Sequence, residues 1–86
     1  MIFLAHITEE IAYQNDFVLL CKKAVNLNQP MYVIIKEGVD WSKFKQFPWR
    51  KKYFYHHDFE VKIALSEILD DYQSCFAENP YGFQGR

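Results

Sequence analysis

Residues 41–57, WSKFKQFPWRKKYFYHH, interleave Lys43, Lys45, Arg50, Lys51 and Lys52 with Trp41, Phe44, Phe47, Trp49, Tyr53, Phe54 and Tyr55. Single-stranded nucleic acid sites combine these two kinds of residue, because aromatic faces stack bases while cations follow phosphates. Trp, Tyr and Arg are also the residues that most often anchor protein–protein contacts. The plainer alternative is structural. The rings fill the open end of a small sheet and the basic side chains point to water, their stems covering aromatic surface. The residues expected to carry a partner contact are Trp41, Phe44, Trp49, Arg50, Lys51 and Tyr53. The expected partner is a protein or a second copy of the chain, with single-stranded nucleic acid as the second choice.

A second group of polar residues follows the apolar runs. His6, Thr8, Glu9 and Glu10 come after the first run, and Glu37 comes after MYVIIK. If those runs are parallel strands, His6, Thr8, Glu10 and Glu37 gather at the C-terminal edge of a sheet, where open α/β folds bind ligands. A nucleotide or an NAD-derived ligand is the alternative reading of that edge. Glu9 and Glu10 at a helix start argue against a phosphate there, and a capped helix start in solvent explains the same residues. His56-His57-Asp58 invites a metal, but adjacent residues of an extended strand point to opposite faces and do not readily share one ion. Cys21 and Cys75 have neither metal-ligand nor redox spacing and read as buried thiols. No catalytic residue, metal or cofactor is assigned.

The elements that would hold these residues are legible from periodicity. Met31–Lys36, MYVIIK, is a short run of apolar β-branched and aromatic residues between Asn28-Gln29-Pro30 and Glu37-Gly38. It reads as a strand buried on both faces. Ile2–His6 reads as an earlier strand and Lys51–Tyr55 as a later, short one. Thr8 suits an N-cap, with a second helix start at Asn15 or Asp16. Phe17, Leu20, Cys21, Ala24, Val25 and Leu27 recur at helical spacing, and Pro30 is the expected stop. Asp58 is the expected cap of a last helix with Val61, Ala64, Leu65, Ile68, Leu69, Tyr72, Cys75 and Phe76 as its apolar stripe.

The expectation is a small α/β domain in β-α-β-β-α order, with a three-stranded, mainly parallel sheet and two main helices. The domain spans 1–78 and a tail follows at 79–86. Two helices cannot fully cover both faces of a parallel sheet, so an apolar surface or sheet edge should remain for a partner or a homodimer. With 86 residues, half of them hydrophobic, and a formal charge of −1, the chain can build a core and has no global field favouring nucleic acid or membrane. No stretch approaches the roughly 18 apolar residues of a membrane span. MIFLAHITEE is too short and too acidic for a signal peptide. A soluble cytoplasmic protein is expected.

The run ITEEIAYQNDFVLLCKKAVNLNQPMYVIIKEGVDW resembles the second half of a TIR-like domain, or of the related nucleoside 2-deoxyribosyltransferase-like family. The corresponding pieces are Ile2–Thr8, Asn15–Phe17, Asn28-Gln29-Pro30 and Met31–Lys36, and Asp58–Phe76 would match the C-terminal helix of that flavodoxin-like fold. The resemblance covers about half of the family domain. Enzymatic members carry a glutamate one turn into the central helix. Here Leu20 or Cys21 takes that position, and no carboxylate lies between Phe17 and Val25. The resemblance therefore implies a non-enzymatic protein-binding regulator on a truncated fold, of a phage-encoded or defence-related kind.

Overall fold

A computed structural model describes residues 2–75. The elements are β1 (Phe3–Ile7), α1 (Glu9–Ala12), α2 (Asn15–Asn26), β2 (Met31–Lys36), a 3-10 turn (Ser42–Phe44), β3 (Lys51–Tyr55) and α3 (Phe59–Cys75). The strands form one parallel sheet in the order β1-β2-β3. Phe3 lies opposite Met31 and Ile34 opposite Tyr53. The expected α/β class and parallel sheet are those observed. The first strand runs one residue later than expected, because Ile7 stays in register with Ile35 and is fully buried. The expected tail at 79–86 lies outside the described residues.

The central strand explains the rest. Met31, Val33 and Ile35 face one core, with Ala5, Ile7, Ala12, Cys21 and Ala24. Tyr32 and Ile34 face the other, with Tyr55, Ala64 and Ile68. Thus α1 and α2 lie on one face and α3 on the other. The connection from β2 to β3 packs on the α2 face, where Phe44 and Phe47 join the first core. Both crossovers therefore run over the same face, as right-handed connections moving in one direction must.

Local ends are set by specific residues. Helix α2 stops before Pro30. Asn28 takes a left-handed conformation (φ 56°), its N–H donates to the Val25 carbonyl and the Gln29 N–H donates to the Ala24 carbonyl. That pair of bonds is a Schellman motif with Asn in the position glycine usually holds. Gly38 (φ 88°) turns the chain after β2, with the Val39 N–H donating to the Lys36 carbonyl. Thr8 precedes α1 without a side-chain cap, and α2 starts after Gln14 rather than after a capping Asn15 or Asp16. At α3, Glu60 reaches back and accepts the backbone N–H groups of His56 (2.6 Å) and His57 (2.9 Å). These donors precede the helix, so Glu60 fixes the chain as it enters α3.

Candidate functional site: the open edge at β1

The aromatic and basic segment divides between the two faces of the sheet. Phe44 is fully buried and Phe47 nearly so. Trp41 and Trp49 pack against the same core. The Trp49 indole N–H donates to the Phe44 carbonyl (2.6 Å), and Lys45 lies over the Trp41 ring. Tyr53 packs on the opposite face, under α3. Arg50 reaches α3, where its Nε donates to Asp71 Oδ2 at 2.6 Å. Trp41, Phe44, Trp49, Arg50, Lys51 and Tyr53 therefore do not form one surface, and Phe44 has no surface to offer. Of the seven rings in the segment, Phe54 alone is exposed. The packing follows from need: β2 is buried on both faces, and among the described residues this connection covers it on the α2 side near β3.

Arg50 belongs to a network that the sequence does not announce. The buried Tyr32 hydroxyl donates to Asp71 Oδ2 at 2.5 Å, and Arg50 Nη2 donates to Cys75 Sγ at 2.8 Å. Burial, then the Asp71 carboxylate, pushes the Tyr32 phenol up to about 12. The Tyr32 hydrogen bond and then Arg50 hold Asp71 below the usual carboxylate range. Cys75 is exposed here, not buried as expected, whereas Cys21 is buried and its thiol is pushed up to about 11. The network ties the start of β3 to the end of α3. Beside it, Leu27, Asn28, Pro30, Pro48, Arg50 and Tyr72 line an open groove of about 880 Å³ at the N-terminal ends of the strands.

The C-terminal ends of the strands carry His6, Thr8, Glu10 and Glu37, and the side chains of His6 and Glu37 are paired. His6 Nε2 shares a 2.7 Å hydrogen bond with the Tyr55 hydroxyl across β2. Glu37 pairs with His56 Nδ1 at 2.7 Å, and Glu9 with Lys36 Nζ at 3.5 Å. The backbone of Glu9 itself and then Lys36 hold the Glu9 carboxyl below its ordinary value. Thr8 is half-buried and Glu10 is exposed. Beyond the end of β3 the His57 ring lies edge-on to the His56 ring at 5.6 Å, not on an opposite face as expected for a strand, and stacks on Phe59. His6, Glu37 and their partners knit the strand ends together. Among the described residues, no group of three or more His, Cys, Asp or Glu side chains could hold a metal ion.

β1 is an edge of the sheet. Among the described residues, helix α3 makes its main contacts with β2 and β3 rather than with β1. Leu4 is 39% exposed, and His6 on the same side is exposed too. On α3, Leu65 packs against the second core and Leu69 is exposed. Among the described residues no second strand pairs with β1. The Phe3 N–H donates to the Pro30 carbonyl, so Phe3, Ala5 and Ile7 bond to β2. By the alternation of a parallel ladder, Leu4 and His6 aim their N–H and C=O groups outward. The strand FLAHI carries no Lys, Asp, Glu, Arg or Pro, the devices that usually guard an edge. The other edge, β3, begins Lys51-Lys52, and both lysines are exposed.

No family model, curated protein or solved structure matches the chain. No helix among the described residues is long and apolar enough to cross a membrane.

Proposed function

We propose that this chain is a non-enzymatic protein-binding module that takes a partner's strand along β1. The observation that supports it is the unguarded edge: outward backbone groups at Leu4 and His6, with the Leu4 side chain exposed. Strand addition of this kind draws affinity from main-chain hydrogen bonds and specificity from alternate side chains. The TIR-like resemblance suggests the same edge. In the flavodoxin-like order 2-1-3-4-5 the third strand lies beside the first. If β1 stands for the third strand, its outer edge is where the first strand of such a domain lies.

The test is affinity capture with the tagged chain, comparing the parent with Leu4→Lys and Lys52→Glu. A partner, including an untagged copy of the chain, should be retained by the parent and by Lys52→Glu and lost by Leu4→Lys. A partner set unaffected by Leu4→Lys would move the binding surface away from β1.

A further inference from the structure

Resting on that reading, we infer that β1 pairs antiparallel with β1 of a second copy, Ala5 lying on the two-fold axis, to form one continuous six-stranded sheet. The outward backbone groups fix the register. Leu4 and His6 are the residues with free edge groups, so pairs that exchange hydrogen bonds must join these positions. Placing Leu4 opposite His6 of the second copy does so and overlaps all five residues of the strand. The symmetry repeats the same pair on the other side of the axis, so the outward groups of both residues are satisfied in both copies. Ala5 then faces Ala5 at a non-hydrogen-bonded position, where antiparallel chains approach most closely. Ala is the smallest side chain of the strand and suits that approach.

Charge selects this edge over the other. The β3 edge begins with the exposed Lys51 and Lys52, charged side chains of the kind that guard an edge against pairing. Nothing in Phe3–Ile7 repels a copy of itself. Antiparallel pairing also keeps both α3 helices on one side of the joined sheet. The exposed Leu4 then lies on the same face as, and diagonal to, Leu4 of the second copy. A five-residue ladder alone falls short of the roughly 1,000 Å² that marks a stable interface, so these leucines must add to it. The association is therefore concentration-dependent.

The experiment is sedimentation equilibrium of the full chain across concentrations, joined to amide hydrogen exchange at Leu4 and His6. The expected result is a monomer–dimer equilibrium in which both amides are protected in the dimer and lose protection on dilution. Leu4→Lys should weaken the dimer by about tenfold or more with unchanged far-UV circular dichroism, and Lys52→Glu should leave it intact. A monomer at every concentration with fast-exchanging amides would overturn self-pairing and leave the edge open for another protein's strand. Protection of the Leu4 and His6 amides in a monomer would overturn self-pairing and the open edge together. A dimer indifferent to Leu4→Lys would do the same.

Discussion

Replacing Phe44 by Ala tests whether the aromatic segment is core or contact surface. Phe44 is fully buried, meets Phe17 edge-on at 5.7 Å, and offers its carbonyl to the Trp49 indole. Truncating a buried Phe costs about 3–5 kcal/mol. At roughly 0.05–0.15 kcal/mol per residue, a chain of this length holds about 4–13 kcal/mol in total. The loss is therefore a large share of the whole, and the melting temperature should fall by roughly 12–40 °C. Phe44→Leu keeps most of the volume and should fall less, which provides a measurable intermediate. Phe54 is 53% exposed, and Phe54→Ala should cost about 1 kcal/mol or less. The assay is urea unfolding followed by tryptophan fluorescence and far-UV circular dichroism, with the slope checked for constancy across variants. A Phe44→Ala protein within about 0.5 kcal/mol of the parent would refute the core assignment. Partner binding lost without any loss of stability would return Phe44 to the contact surface.

Asn28 sits at φ 56°, where a side chain with a Cβ is strained. Asn28→Ala should lose about 1 kcal/mol and Asn28→Gly should match or exceed the parent, read by thermal melts; an Ala variant as stable as the parent would remove the Schellman motif from the account. Glu60 is held below its ordinary value of 4.5 by the backbone N–H groups of His57 and then His56. A depressed carboxylate stabilises the fold above its unfolded value, and the contribution disappears as pH falls through the folded value. The window is therefore acidic, below 4.5. Urea midpoints taken down that limb should drop less for Glu60→Gln than for the parent, and equal drops would mean that the Glu60 carboxylate does not hold the chain entering α3.

Legibility followed the range of the interactions. β2 and β3 could be read to the residue because each is bounded by local breakers, and β2 shows the unbroken apolar run of a strand covered on both faces. The stop of α2 was placed at Pro30, yet the hydrogen-bonded end comes earlier, because Asn can occupy the left-handed position without being glycine. The segment 41–57 was ambiguous for a physical reason. Rings that stack bases and rings that fill a core have the same composition, and only the faces they take separate the two. The missing signal lay in β2. A strand buried on both faces needs a cover on the α2 side near β3, and Phe44, Phe47 and Trp49 lie on the connection that can supply it. The bond from Tyr32 to Asp71 joins residues 39 apart, and no periodicity of a single sequence encodes it.

The placement of α3 bears on why β1 is the unfinished side. The crossovers from β1 to β2 and from β2 to β3 both pass over the α2 face, so the sheet is built in one direction. α3 returns over the other face. A right-handed crossover made on that face runs in the opposite direction. A further parallel strand reached through α3 would therefore lie beyond β1, giving the reversal of strand order that marks a doubly wound sheet. In such a sheet the added strand pairs with the β1 edge, and the element after it covers Leu4 and His6. The described chain has the winding that points to this place without a strand in it. A strand supplied from outside would satisfy the outward groups of Leu4 and His6 and cover the exposed side of Leu4. A helix docked over the same face would leave the edge hydrogen bonds unmade. Strand addition at β1 is the one form of binding that answers both deficits at once.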